Sequence, residues 1–221
     1  MANKLNVINF ALSHLGQPPI ASLAVKSAGA VQGNLWIEQA REELLVTYPW
    51  VFATKRRRLQ EKTLNQFERR QYLNEWFYYY LLPEEALFVQ YLVDQDTANQ
   101  VYMVTDNAFT IERNPSNLPN EPEKIVLTNV AEAVAVYTLD ITDYSILPPY
   151  FVQPLSLLLA SYIAFPLTSD ISMKGQMLNT FNSSLSNYTA QDANQQKNKR
   201  PQESEVIRSR WSSYIDYGNP Y

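Results

Sequence analysis

An apolar segment with almost no polar face, LSLLLASYIAF at residues 155–165, constrains the possible folds of this chain more than any other stretch. A helix that is apolar on nearly all sides needs neighbours all around it, so it is usually the central helix of a bundle. Pro148 and Pro149 precede the segment, and Pro166 is expected to end it, because proline cannot continue the hydrogen-bond ladder. The segment is well short of the roughly 20 residues that a membrane-spanning helix needs, so we expect it to lie in a protein core and to contact no membrane.

Helical spacing of apolar residues predicts two helices near the N-terminus. The first follows a cap at Asn3, and Gly16 with the two prolines that follow it ends the helix. The second covers residues 30–48 and ends before Pro49, with Trp50 as an anchor below it. Small residues at the start of the second helix allow close contact with a neighbouring helix.

A fourth helix is predicted after a cap at Thr168 or Ser169, with Phe181 on its apolar stripe. The polar stretch 191–204 is interpreted as a linker. Beyond it the chain becomes aromatic again, which leaves two alternatives: the tail docks on a partner, or it folds back on its own bundle. The residues expected to make the docking contacts are Ile207, Arg208, Arg210, Trp211, Tyr214, Tyr217 and Tyr221.

The middle of the chain changes to the period of strands. Aromatic and β-branched runs predict strands at residues 76–82, 87–93, 101–105, 108–113, 124–127 and 134–141. Asp106 and Asn107 favour a tight turn that joins the third and fourth of these strands in a hairpin.

The order of elements predicts an α+β fold, in which a small antiparallel β-sheet is inserted between the N-terminal and C-terminal helices of a bundle. The expected organisation is a helical bundle at 1–50 and 148–196, a β-rich insertion at 51–147, and an extended C-terminal tail at 197–221.

The residue inventory excludes several kinds of chemistry. The chain has no cysteine and only one histidine, His14, which excludes disulfides, thiolate or histidine-based zinc sites, and a catalytic Cys-His dyad. Its five glycines form no phosphate-binding loop. His14 is expected at the surface, in the last turn of the first helix, where positive charge suits the helix dipole. We predict no catalytic residue, no cofactor and no metal ligand.

Two pairs of adjacent carboxylates, Glu42-Glu43 and Glu84-Glu85, are the remaining candidates for acid/base chemistry. Neighbouring side chains point to opposite faces of a strand and diverge by about 100° on a helix, so neither pair forms a spaced dyad. We interpret them as solvated charges.

Basic charge is concentrated in one segment. Residues 55–70 hold seven basic and two acidic residues, a net charge of +5. Because the whole chain has a net charge of −4, the residues outside this segment carry −9. The cluster at its start consists of Lys55, Arg56, Arg57 and Arg58. Three interpretations stay open: a solvated strand edge that resists pairing, a contact with an acidic protein partner, or a contact with DNA.

The run WFYYY at residues 76–80 is aromatic on both faces of a strand. Alternation places Trp76, Tyr78 and Tyr80 on one face, with Phe77 and Tyr79 on the other. The second face indicates either a contact with a partner, since Tyr and Trp are enriched at interfaces, or burial of both faces in one sandwich.

Several motifs, in this order, resemble a family of phage proteins. They are NFALSHLGQPPIASL at 9–23, Arg41 followed by PWVFA at 49–53, YTLDITDYSILPPYFVQPLSLLLASYIAFPLT at 137–168, MLNTFNSSLSNYTAQDANQQ at 177–196, and SRW at 209–211. This order is similar to that of the tail tubular protein A, or head-to-tail adaptor, of short-tailed phages. The basic segment, the run at 76–80 and the last residues of the chain have no counterpart in that pattern.

The resemblance implies a structural virion protein rather than an enzyme. Adaptors of this family form a ring, with twelve copies implied, beneath the phage portal; they join the portal to the distal tail (nozzle) protein and line the channel through which DNA passes. By the same resemblance the tail docks on the portal, and the protein assembles in the host cytoplasm and resides in the virion. The alternatives are a tail-associated cell-wall or polysaccharide hydrolase, which would need an acid/base pair, and a DNA-binding module centred on residues 55–58.

Overall fold

The computed structural model describes residues 3–63, 76–93, 108–114 and 122–195. Within these ranges the fold is α+β, as predicted. The described residues contain four helices, two before the strands and two after them: α1 (Lys4–His14), α2 (Ala28–Thr47), α3 (Pro149–Thr168) and α4 (Ile171–Ala193). Seven strands lie between α2 and α3: β1 (Thr54–Arg58), β2 (Gln60–Glu61), β3 (Tyr78–Leu81), β4 (Ala86–Val93), β5 (Phe109–Arg113), β6 (Lys124–Thr128) and β7 (Val134–Leu139).

Helix α1 begins and ends as its sequence predicts. The Asn3 side chain accepts a hydrogen bond from the Asn6 amide at 2.7 Å, which caps the N-terminus. At the other end Gly16 adopts a left-handed φ of 66°. The Gly16 and Gln17 amides donate back to the carbonyls of Ser13 and Leu12, so the last turn closes before the two prolines.

Helix α2 crosses α1 at a glycine. A Cβ atom at Gly33 would lie 2.6 Å from Cγ2 of Ile8, so only glycine permits this approach. The helix ends at Thr47, and Trp50 is fully buried below it, with its indole Nε1 donating to the Leu44 carbonyl at 2.8 Å. Both the close contact and the tryptophan anchor are therefore confirmed.

Helix α3 is the central helix, but it is longer than predicted. It packs against the other three helices, and twelve of its 20 residues are buried. The expectation that Pro166 ends the helix is wrong: Pro154 and Pro166 both lie inside it, and it ends where Ser169 adopts a left-handed φ of 56°. Each proline removes one backbone hydrogen bond. Around Pro154, burial of the neighbouring apolar side chains outweighs that loss, whereas Pro166 lies in the exposed last turn, where Leu167 still packs against the core.

The full length of α3 also changes the argument about membranes. With 20 residues and a mean hydropathy of 1.5, α3 is long and apolar enough to cross a bilayer, so the length argument from residues 155–165 is wrong. However, 67% of its apolar window is buried inside the protein, which is the pattern of a bundle's core helix.

Helix α4 differs from its prediction at both ends. Asp170 caps it, accepting from the Ser172 amide at 2.7 Å, so the expected caps at Thr168 and Ser169 are wrong. The predicted start of the linker, at residue 191, is too early, because α4 continues to Ala193. Asp192 is completely buried, and its carboxylate accepts a hydrogen bond from the Val51 amide at 2.7 Å. Phe181 is buried as expected.

The described residues of the β-region form two antiparallel sheets, where the sequence predicted one. The first has the strand order β1-β7-β4 and the second has the order β2-β3-β6-β5. Only Leu59 separates β1 from β2, so the chain passes from one sheet to the other at this buried residue. Side chains of both sheets share one apolar core, to which Tyr80, Val126 and Tyr137 belong.

Strands at 76–82, 87–93, 108–113, 124–127 and 134–141 are confirmed, with ends shifted by up to two residues. The predicted strand at 101–105 and its turn at 106–107 lie outside the described residues.

A buried arginine fastens the bundle to the chain that returns from the sheets. Arg41 on α2 is only 2% exposed, and it donates to Asp140 and, at 3.0 Å, to the Ile141 carbonyl, just after β7. On its other side it donates to Glu38 at 2.9 Å and Glu42 at 3.3 Å.

Replacing this arginine tests the junction. We expect Arg41→Met to lower the free energy of unfolding by about 3 kcal/mol, near the lower end for breaking a buried ion pair, because the carboxylates left behind keep some contact with water. The matched control is Lys4→Met, which removes the other cation from Glu38 at a half-buried position and should cost less than about 1 kcal/mol. Urea unfolding followed by circular dichroism measures both; equal effects would contradict this role for Arg41.

Candidate partner-binding surfaces

Two surfaces were predicted to bind partners, and the structure describes one of them. The tail residues Ile207, Arg208, Arg210, Trp211, Tyr214, Tyr217 and Tyr221 lie outside the described residues. The basic cluster at 55–58 forms most of β1.

Strand β1 lies at the edge of the first sheet, with β7 as its neighbour. All four cationic side chains, at positions 55 to 58, are exposed. In the antiparallel register Lys55 lies opposite Tyr137 and Arg57 opposite Ala135, while Arg56 lies opposite Val136. Alternate residues point to opposite faces, so the strand divides its four cations between the two faces of the sheet, as the sequence indicated.

On one of these faces Lys55 and Arg57 share a single carboxylate, that of Glu85, which neutralises half of their charge. Lys55 Nζ lies 2.7 Å from Glu85 Oε1, and Arg57 Nη1 lies 3.5 Å from the same oxygen. The Tyr137 hydroxyl also donates to Glu85, at 2.7 Å. The hydrogen bonds from Lys55 and Tyr137 lower the pKa of Glu85, while burial and the nearby carboxylate raise the pKa of Tyr137 to about 12.

The other face keeps a cation without a carboxylate. Arg58 pairs with Glu132 at 2.8 Å, and Glu132 sits in a turn with a left-handed φ of 49°. Arg56 has no ion pair with any residue in the described parts of the chain. The basic strand is therefore half neutralised inside the subunit, and Arg56 is the member of the four without an ion pair in the described residues.

The aromatic run contributes to the interior more than to a surface. Tyr80 is 1% exposed and donates to the Val130 carbonyl at 3.0 Å, while Tyr79 is 7% exposed and packs on Ile125 and Leu127 in the opposite direction. Of the two alternatives, burial of both faces is therefore the one observed for these tyrosines.

Two residues before strand β3 depart from the predicted alternation. Trp76 packs with Tyr79 and not with Tyr80, because β3 begins only at Tyr78. Phe77 is the exposed member of the run, at 77%.

His14 was expected at the surface, but it is half-buried against α3. Its Nε2 lies 3.1 Å from the Ser156 hydroxyl, and burial lowers its pKa, so the ring is neutral near pH 7 and the proposed charge–dipole role is wrong. The Ser156 hydroxyl donates to the Gln153 carbonyl at 2.7 Å, which leaves its oxygen to accept from the histidine. Ser156 is also fully buried, so this pair is a structural contact and not a nucleophile with its base.

The paired glutamates also have partners that the sequence did not reveal. Glu43 accepts a hydrogen bond from Tyr162, and Glu42 pairs with Arg41. Glu43 and Glu84 are exposed, as predicted for solvated charges, whereas Glu42 and Glu85 are half-buried and each pairs with a cation. No cluster of three or more His, Asp or Glu side chains suited to a metal ion occurs among residues 3–63, 76–93, 108–114 and 122–195.

Comparison of the sequence with protein-family models gives no match, and comparison with curated proteins gives no significant similarity. Functional assignment therefore depends on the residues of this chain and on the motifs quoted above.

Glu85 and its partners Lys55, Arg57 and Tyr137, here called the Glu85 cluster, should make the stability of the fold depend on pH. Because its pKa is lowered in the folded state, the cluster stabilises the fold above the ordinary glutamate pKa of 4.5, and this contribution is lost as the pH falls through the lowered value. Glu85→Gln should therefore melt below the wild type at pH 7, and the difference should shrink as the pH falls below 4.5.

Thermal melting across this pH range measures the effect. Glu84→Gln, at the exposed neighbouring position, is the control and should show no such pH-dependent difference. A gap between Glu85→Gln and wild type that stays constant with pH would contradict the assignment.

Proposed function

We propose that this protein is a head-to-tail adaptor of a short-tailed phage, a structural component of the virion. It forms a ring beneath the portal, joins the portal to the distal tail (nozzle) protein, and lines part of the channel through which DNA passes. It acts by assembly and not by catalysis.

The observation that supports this proposal most is the position of the motif residues in the fold. Gly16 closes α1, Arg41 fastens α2 to the chain returning from β7, and Trp50 closes the base of the bundle. Each lies at a junction between elements, where a residue governs the shape of the subunit. A protein that acts by assembly depends on the shape of its subunit. The motifs that carry the resemblance therefore include residues with a role in that shape.

The charge of the chain agrees with contact to passing DNA. A strongly basic channel would hold phosphates through the release of counterions and slow the transit of DNA. This chain has a net charge of −4, and two of the four cations on β1 have their own carboxylates close by. Transient, non-specific contact is thus the expected mode.

Ring assembly in the presence of portal tests the function. We expect the full chain to be mainly monomeric at physiological salt and to form rings on addition of the portal protein from the same genome, because the portal raises the local concentration of subunits. Negative-stain microscopy with and without portal shows whether a second ring appears. If the chain leaves portal particles unchanged at every concentration, the adaptor function is wrong.

The tail supplies a second test of the same function. Trp and Arg are the residue types that most often dominate interfaces, with losses of about 2 kcal/mol or more on truncation. We expect Trp211→Ala to reduce portal binding sharply and to leave the melting temperature nearly unchanged.

Trp36→Ala serves as the matched control, since Trp36 is a partly exposed tryptophan of α2 that contacts Tyr162 within the bundle. It should bind portal like the wild type. A Trp211→Ala variant that melts much lower but still binds portal at the wild-type concentration would show that the tail belongs to the subunit's own core.

A further inference from the structure

The edge strand β1 has the features of a contact surface for another protein chain. The Leu59 amide donates to the Ala133 carbonyl at 2.9 Å, so these two opposite residues form a hydrogen-bonded pair of the antiparallel ladder between this strand and β7. Since bonded and non-bonded pairs alternate in antiparallel strands, Lys55 and Arg57 turn their peptide groups toward β7, and Arg56 and Arg58 turn theirs toward the outer edge. Arg56 therefore combines two features: its guanidinium has no ion pair in the described residues, and its peptide groups face the outer edge.

We propose that this basic edge docks on an acidic surface of a second copy of the same chain. The inference rests on the proposed function, because a ring requires contacts between copies, but the surface itself is derived from charge. Outside residues 55–70 the chain carries −9, and still −7 when Glu85 and Glu132, which pair with the basic edge, are left out, so every copy combines a basic edge with an acidic remainder. Opposite charges on the two sides steer association and fix which surfaces meet.

Like charges exclude the symmetric alternative. If two β1 strands met each other, the cations of both copies would face one another, and such a contact is repelled. The basic edge of one copy must therefore meet a different surface of the next copy. A contact of this heterologous kind repeats around an axis and closes into a ring when its rotation divides a full turn.

A nucleic-acid ligand fits this edge less well than a protein. Glu85 and Glu132 lie within the cluster, at 2.7 Å from Lys55 and 2.8 Å from Arg58, and they reduce the net charge of the four cations to +2, which leaves few cations for contacts with phosphates. An open strand edge, in contrast, offers peptide groups that another protein can pair with. The same carboxylates leave a small positive excess, which suits a weak contact that becomes stable only through repetition.

The test is self-association of the full chain in sedimentation velocity, without portal. At about 0.01 M salt, where charges act over about 30 Å, we expect concentration-dependent association that disappears as salt is added. Arg56→Glu should weaken it at least about tenfold. Lys174→Glu, the same charge change on the exposed side of α4, should leave association unchanged. Because Arg56 has no ion pair in the described parts of the chain, its variant should melt like the wild type.

Mixing the variant with wild-type protein distinguishes the heterologous contact from a symmetric contact between two β1 strands. Labelled Arg56→Glu protein keeps its acidic surface, so it should still bind one wild-type copy and terminate the growing complex. Failure of the variant to join wild-type complexes would overturn the heterologous contact. Absence of association in the wild type at low salt, or equal loss in both variants, would overturn the inference altogether.

Two further measurements distinguish this inference from its alternatives. Tighter binding of a short DNA duplex than of a second copy, lost in Arg56→Glu, would replace the inference by a nucleic-acid site. If portal recruits the wild-type chain while no Arg56-dependent self-association exists, the inference fails and the adaptor function stands. Self-association that depends on Arg56, with no response to portal, supports the inference and contradicts the adaptor function.

Discussion

The structure depends on the charged interaction of Arg41 more than on any other polar contact. The chain leaves the bundle after α2, builds two sheets, and must return to place α3 at the centre of the bundle. The guanidinium fixes that return, since it binds Asp140 and the Ile141 carbonyl while its other nitrogens hold Glu38 and Glu42 on its own helix. Burial raises the pKa of Glu38, but the hydrogen bonds from Lys4 and Arg41 more than reverse this effect, so the carboxylate stays charged and keeps the arginine neutralised. A lysine could not replace it, because a single ammonium cannot reach groups on both sides.

The helices could be predicted from the sequence because their signals are local. Asn3 as a cap, Gly16 as a left-handed stop and Trp50 as an anchor all act within a few residues of the helix they end or begin. The errors arise where packing overrides local chemistry. Pro166 remains helical although it is exposed, because Leu167 after it packs against the core of the bundle, and the polar end of α4 remains helical because Asp192 has a partner in a distant part of the chain. No pattern in residues 190–195 alone could have revealed that partner.

The β-region and the candidate surface were harder to predict, since both depend on pairings between distant residues. Strand positions follow from composition, but the division into two sheets depends on the crossing at Leu59, which alternation cannot reveal. The basic cluster was visible as a charge run, whereas its division between faces became specific only through Glu85 and Glu132, 27 or more residues away in sequence. His14 was misjudged for the same reason, because Ser156 comes from the far end of the chain.

The buried carboxylate of Asp192 has a mechanical consequence. It holds the Val51 amide in the short helical turn Val51–Ala53, which directly precedes β1. The last turn of α4 and the first residue of the sheets are thus tied to one point of the subunit. A force that acts on the end of α4 therefore reaches the root of the sheets as well as the helices. A pull on the last turn of α4 is consequently a pull on the joint between bundle and sheets, and it is transmitted through Val51 to the start of the basic edge strand.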